Sequence, residues 1–544
     1  MKAIEIENDK AKSFFNDRYV WILLIISLSV RIYLSFFTYV IENDSVAFMQ
    51  IARYFADGDF LSGLRHDYHP LYSFLMTVMY KVIPDMEISG TIVSILFGTL
   101  TVIVFYLIGK SVFDRKISFV SSVILALHPY AVRFSADIIS ESTYFFFFIS
   151  ALGLGFFAIT KKKLSLFALT GICSAFAYLT RPEGIGIVII VASWYVFKDC
   201  LKIKAVWKEK LISIFILVIS FFIFSSPYLV YIKKETGSWS LTKKKEVSDI
   251  AGIGKVLDTL KNGRLVKEYN NTEENSGKKV IKQATARKSN FNIHLKSILY
   301  IMNKYLGTLH PLLFIFLIIG VINWTRIKKE RFFGLFIASI IVFYLFILYR
   351  LNITYIPSYG DIYQYPSRRH LMPLVILAVF FVGIGVYTTG SLVHDKVQFD
   401  KLKSGLRGRL RNVWIVQLII LMIIISVLLP KTLKPQRSDK LGIKEVGQWI
   451  REHSRKSSPA ILSDSARNAY YAGGKHVQMV SINNALSKAR AKKVDYILIT
   501  HSEYRVIEKE LLQSVKDKKI AIAYRFPEKN AFNKRSILLY KALY

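Results

Sequence analysis

Acids, arginines and histidines crowd into four stretches of this chain. Glu42, Asn43 and Asp44 lead to Asp57, Asp59, Arg65, His66, Asp67 and His69. Arg133, Asp137 and Glu141 come next, then Arg181 and Glu183 in a Thr-Arg-Pro-Glu-Gly turn, then Arg368, Arg369 and His370. A carboxylate held beside a hydroxyl can take its proton. A guanidinium grips phosphate through paired N–H bonds. Gathered in one place, the two suit proton transfer and the neutralising of an anion. Each also has a plainer reading. Asp44 is a good N-cap for a following helix. Asp137 and Glu141, four residues apart, would share a helix face at an N-terminus, where the dipole stabilises anions. Arg181 and Arg369 could snorkel to headgroups. The imidazoles of His66, His69 and His370 can bind metal, but their separation gives no ligand signature. A divalent metal is therefore left possible and not required.

These groups must be held by membrane helices. Of 544 residues, 53% are hydrophobic and 14% aromatic, and mean hydropathy is +0.35. That is too apolar for an ordinary soluble chain. The apolar residues fall in runs at 20–41, 88–109, 117–134, 138–160, 164–180, 184–198, 211–232, 299–323, 332–350, 370–388 and 412–430. Each is close to the ~20 residues a crossing helix needs. We expect about eleven spans. Arg31 lies mid-span and should face the bundle interior with a partner. The net charge of +36 reads as Lys and Arg flanking spans rather than as a nucleic-acid footprint. The two cysteines, Cys173 and Cys200, suggest neither a disulfide framework nor a thiolate site.

Charge sets the sidedness. With these spans, Lys2 to Arg18, the loop 110–116, Lys161–Lys163, the loops at 198–210 and 325–331, and the loop 389–411 all fall on one side. The positive-inside rule makes it cytoplasmic. The apolar stretch 70–83 is too short to cross and would move Lys161–Lys163 outward if it did; it reads as interfacial. The polar clusters then all face out, within a first outer loop 42–87 and the later outer turns. The large basic outer loop 233–296 exceeds the length over which the charge rule acts. Tyr355, Tyr359, Tyr363 and Tyr365 would cover a bound ligand or form an aromatic belt.

The composition changes after Pro430. An amphipathic helix at 442–456 precedes apolar runs at 459–463, 477–482, 494–500, 520–526 and 536–542, which alternate with helical patterns. We expect residues 1–430 to form the membrane domain and 431–544 a small outer α/β domain. Gly473-Gly474 marks a turn. There is no G-x-G-x-x-G or P-loop, and no evident internal repeat.

In order along the chain, EIENDSVAFMQIARYFADGDF, YHPLYSFLM, HPYAVRFSADIISESTYFFFF, LTRPEG, SRRHLMPL and GQWIREHSRKSSPAILSDSARNAYYAGG resemble motifs of the dolichyl-phosphate-mannose protein mannosyltransferases and the lipid A aminoarabinose transferases. The resemblance implies the GT-C fold, a prokaryotic cytoplasmic membrane, a polyprenyl-phosphate-sugar donor, and inverting transfer to a lipid, glycan or protein acceptor. It places Asp44 as the first-loop acid and candidate general base. Arg369 takes the late-motif arginine, and Glu141 and Arg181 take positions in their turns. Arg369, Arg181, Arg368 and His69 become candidates for the donor phosphate, with Glu42, Asp137, Glu141 and Glu183 nearby. Ser45 stands where the family usually has Glu.

Other classes compete. A flippase of lipid-linked glycans would bind near the midplane in repeated halves. A ligase of whole glycans would share the fold and the face. A non-enzymatic scaffold has no use for convergent acids and arginines.

Overall fold

In a computed structural model, which describes residues 16–198, 207–243, 289–324, 331–359, 365–396, 412–479, 485–527 and 536–543, the chain is a helical bundle capped at one end by a small mixed-sheet domain. Most of the loop 233–296, together with Cys200, Tyr363 and the basic stretches 325–330 and 397–411, lies outside the described residues.

The helices are α1 Arg18–Phe36, α2 Asn43–Ala56, α3 Phe60–Leu64, α4 Leu71–Tyr80, α5 Met86–Val112, α6 Arg115–Ala126, α7 Pro129–Ser135, α8 Glu141–Lys161, α9 Leu164–Thr180, α10 Ile185–Phe197 and α11 Trp207–Thr236. They continue as α12 Ser289–Leu309, α13 Pro311–Trp324, α14 Arg331–Tyr359, α15 Arg368–Lys396 and α16 Val413–Leu433. Seven are long and apolar enough to cross a membrane, and nine if each of two bent pairs counts as one span. The shorter apolar helices α9 and α10 complete the set of segments expected from sequence.

Proline explains both bends. α6 and α7 meet at 59° before Pro129, because the residue preceding proline is pushed out of helical geometry. The carbonyls freed there are answered. Thr432 Oγ1 donates to Leu127 O at 2.7 Å and Arg31 Nη1 donates to Ala126 O at 3.2 Å. Arg31 is buried as expected, but its partners are Ser27 and that carbonyl; no acid among the described residues meets it. The segment 299–323, expected as a span, is broken in the middle. α12 and α13 meet at 98°, with His310 at φ 86° just before Pro311. α13 instead lies backbone to backbone against α15. A Cβ on Gly320 would stand 1.8 Å from Phe381 O, and one on Gly385 1.9 Å from Phe316 O. Glycine alone permits that approach.

α15 runs through the middle of the bundle, buried almost continuously from Leu371 to Val386. Its first turn therefore lies at the centre of one bundle end. At the opposite end Asp17 accepts from Lys110 at 2.7 Å and Arg115 at 2.5 Å, and Lys116 lies 5.4 Å from the Trp414 ring. Among the described residues, the basic segment 110–116 thus meets the start of α1 and the start of α16 at this end. α4 is a 10-residue helix that packs on α2 through Ser73 and Thr77, which donate to Phe48 O and Ala52 O at 3.0 and 2.9 Å.

After α16 come α17 Leu441–His453, β1 Ala460–Ser463, α18 Ala466–Tyr471, β2 Lys475–Gln478, α19 Ala485–Ala491, β3 Tyr496–Thr500, α20 His501–Lys516, β4 Ile520–Phe526 and β5 Ile537–Ala542. The sheet order is β2-β1-β3-β5-β4, parallel across β2-β1-β3 and antiparallel across β3-β5-β4. All five apolar runs form strands, and Gly473, at φ 66°, makes the expected turn. The domain sits on α2 and α5: Tyr471 OH accepts from Ile41 N at 2.9 Å, Ser465 Oγ donates to Asn43 Oδ1 at 2.8 Å, and Tyr470 OH donates to Glu87 at 2.7 Å.

Candidate active site

The loop after α1 enters α2 with Glu42 at the N-cap position, but the Glu42 side chain makes no capping bond. Asp44 lies in the first turn, two residues past the N-cap position. The capping reading of Asp44 is thus replaced by another use. Arg369, in the first turn of α15, reaches both acids: Nη1 lies 2.5 Å from Asp44 Oδ2 and Nη2 2.8 Å from Glu42 Oε1. Its Nε is 3.7 Å from Glu141 Oε1, at the start of α8. That oxygen also accepts from Arg181 Nη1 at 2.9 Å. Arg181 ends α9 in extended geometry and clasps Glu183 with Nη2 at 3.1 Å and Nε at 3.4 Å. Tyr344 OH fixes the turn by donating to Glu183 O at 2.8 Å. Four chain segments distant in sequence thus meet through two arginines and four carboxylates.

Electrostatics keep the Glu183 carboxylate charged. Burial alone would raise the Glu183 carboxyl; Arg181 and His370 outweigh it and hold it at about 2. Tyr68 hydrogen-bonds to Asp44, and its phenol is pushed above its usual range by burial and then by that carboxylate.

The network lines one end of a cavity of about 900 Å³ that also takes in Tyr68, His69, Arg350, Tyr365 and His370. Ile185, Ile189, Phe343, Phe346 and Ile347 give it an apolar wall. Ile189 and Phe346, 51% and 59% exposed, leave it open sideways between α10 and α14. No residue of the interfacial stretch 70–83 lines it. His69 is buried, edge-on to Tyr178 and Tyr228 at 5.1 and 5.0 Å.

Of the residues singled out by sequence, Asp44, Glu42, Glu141, Glu183, Arg181, Arg369 and His69 share this cavity. Asp137 and Arg368 do not; they face a neighbouring cavity of about 350 Å³. Asp137 and Glu141 do not share a helix, because α8 begins only at Glu141 and Asp137 lies in the turn before it. Asp137 is buried and pairs with Arg437. Burial raises its carboxyl above the usual 3.8 despite that arginine. Arg437 also binds Glu42 Oε2 at 2.9 Å, and Arg467 approaches the same oxygen at 3.7 Å. Sequence reading missed Arg437, Arg467 and Tyr68. Both arginines belong to the segment after α16, where basic residues have no sidedness to betray them. Tyr68 sits among Asp67 and His69, which drew the attention instead.

The donor set does not suit a metal. Glu42, Asp44 and Glu141 each already face a guanidinium, which a cation would have to displace. Among the described residues no group of three or more His, Cys, Asp or Glu is placed to hold one. His66 does not line the cavity that His69 and His370 share.

An acid-and-arginine site at one end of a polytopic helical bundle, beneath a small α/β cap, is the arrangement of the GT-C fold. Residues 67–231 match the sequence profile of the dolichyl-phosphate-mannose-protein mannosyltransferase family, a stretch that carries His69, Glu141 and Arg181. No curated protein matches the chain by sequence. Among solved structures it is similar to ArnT from Cupriavidus metallidurans bound to undecaprenyl phosphate, at 11% identity over 96% of this chain and 97% of that one, with a TM-score of 0.55. It is also similar to the oligosaccharyltransferase AglB from Archaeoglobus fulgidus in complex with an inhibitory peptide and a dolichol-phosphate. There the identity is 12%, the coverage 96% and 74%, and the TM-score 0.55. At such identities the likeness is one of fold, and the chain has the GT-C fold.

Proposed function

We propose that this protein is an integral-membrane glycosyltransferase that takes a sugar from a polyprenyl-phosphate donor, at the extracytoplasmic face, and passes it to an acceptor with inversion. One observation carries the reading: a single cavity joins a cluster of carboxylates and arginines to an apolar mouth that opens sideways between α10 and α14. A lipid-linked sugar phosphate has that same division, and the cavity volume lies in the range of about 300–1,000 Å³ usual for small-molecule sites.

On this reading the prenyl tail leaves through Ile185, Ile189, Phe343 and Phe346, and the phosphate lies towards Arg369, Arg181 and His69. Asp44 takes the proton of the acceptor hydroxyl. The acceptor oxygen bonds to the anomeric carbon from the face opposite the phosphate. The carbon–oxygen bond to phosphate breaks, and the polyprenyl phosphate leaves with the electron pair. The guanidinium groups stabilise that charge by being in place beforehand. Tyr68 orients the Asp44 carboxylate.

The test is transfer by the purified chain in lipid vesicles, using polyprenyl-phosphate sugars labelled in the sugar. Asp44→Asn should cut turnover by about 10²–10⁴ with the protein still folded. Unchanged turnover in that variant removes Asp44 from the chemistry. Failure of the wild-type protein to release polyprenyl phosphate from any such donor, with acceptor lipids and peptides supplied, removes the reading itself.

A further inference from the structure

The second cavity is unevenly charged. Arg133, Lys304, Arg368, Arg369 and Arg437 line it against two acids, Glu42 and Asp137. Both acids are already engaged: Asp137 by Arg437, and Glu42 by Arg437 and Arg369. Arg133, Lys304 and Arg368 have no carboxylate partner among the described residues. The Arg368 guanidinium lies 5.0 Å from the Tyr130 ring, and Lys431 Nζ lies 4.9 Å from the same ring, adding a further cation at the rim. Uncompensated like charges repel, and the field they make in a cleft draws an anion. Arginine beside arginine suits the oxygens of phosphate in particular.

Position gives the excess a purpose. Glu42, Ser367 and Arg369 line both cavities, so the second is one side chain away from Asp44. α12, which carries Lys304, exposes Leu295, Leu299 and Met302. An apolar tail can therefore lie against α12 while its headgroup enters the cavity. We propose that this second cavity is an anion site, formed by Arg133, Lys304 and Arg368, that seats the phosphate group of the acceptor. The acceptor part of this statement rests on the transferase reading above; the anion site does not.

Two probes separate the sources of phosphate: dioleoyl phosphatidic acid, which brings a tail, and inorganic phosphate, which does not. Binding to the full chain in neutral detergent is read by native mass spectrometry. The variant combines Arg133→Gln, Lys304→Gln and Arg368→Gln. A control combines Lys161→Gln, Lys162→Gln and Lys163→Gln, exposed residues at the opposite end of the bundle with the same change in charge. We expect the cavity variant to bind phosphatidic acid at least about tenfold more weakly, the loss of one charge-assisted contact or more. The control stays within about twofold, and both still carry one undecaprenyl phosphate, which also shows that they are folded. If inorganic phosphate displaces phosphatidic acid, the oxyanion alone suffices; if it does not, the site takes its phosphate on a lipid. Equal loss in variant and control, or no phosphatidic acid bound by the wild-type chain, overturns the site. In transfer assays with membrane lipid extract as acceptor, the variant raises the acceptor KM and leaves the donor KM in place. A shift in the donor KM instead overturns the assignment to the acceptor. A wild-type chain that transfers nothing defeats the transferase reading and leaves the binding result standing.

Discussion

Removing Arg437 should loosen the joint between the C-terminal domain and the loop that carries Glu42 by a predictable amount. Its guanidinium bridges Glu42 and Asp137, and its Nε donates to Val40 O. Glu42 keeps Arg369 and Arg467 when Arg437 goes. Among the described residues the hydrogen bond Asp137 keeps is that from the Ile138 amide, at 3.0 Å, and its side chain is 4% exposed. Stripping a buried carboxylate of its counter-charge costs about 3–5 kcal/mol. A loss of 3 kcal/mol in local opening free energy is roughly a hundredfold in exchange rate. Hydrogen exchange read by mass spectrometry across residues 36–46 and 434–446 should therefore speed by about a hundredfold in Arg437→Gln, with the bundle core unchanged. Asp137→Asn added to it should recover most of the protection, since the buried charge is gone. Acid should do the same. The folded carboxyl is raised above 3.8, so the folded form binds a proton that the opened form releases. Stability from this group is full below pH 3.8 and is lost as pH rises through the folded value. Protection in Arg437→Gln should thus rise as pH falls into that window, after correction for intrinsic exchange. Wild-type exchange in Arg437→Gln, or no recovery with Asp137→Asn, would show that the buried pair does not hold the joint.

Other substitutions test other parts. Tyr68→Phe removes one hydrogen bond to Asp44 and should cost about tenfold in turnover, with donor affinity held; an unchanged rate would mean that Tyr68 orients nothing. Glu141→Gln leaves Arg181 with Glu183 but frees it from Arg369, so donor KM should move more than folding, as thermal unfolding against transfer kinetics will show. Gly320→Leu must force α13 from α15; purified yield and melting temperature should collapse, and a wild-type melt would contradict the close contact with Phe381 O.

The sequence told more about sides than about partners. Apolar run length and lysine placement located the spans and put the clusters at one end, because a bilayer imposes both directly. All five strands of the C-terminal domain were legible for a similar reason: short apolar runs between turns have few other uses. Proline marked the bends, and the failure at 299–323 came from weighing apolar length over Pro311. Partnership was hidden. Asp137 and Glu141 are four apart, yet one begins a helix and the other precedes it, so they serve different cavities. Arg368 and Arg369 are adjacent, and in a helix neighbours point about 100° apart; one faces Asp44 and the other Tyr130. No count of charges along the chain separates such neighbours. The helix phase separates them, and the phase is set by α15, whose buried run from Leu371 to Val386 leaves it no freedom to turn. The bundle's central helix therefore decides which arginine meets the acids and which meets Tyr130, and a half-turn inserted after His370 should carry both away from their present neighbours and silence the site while leaving the spans in place.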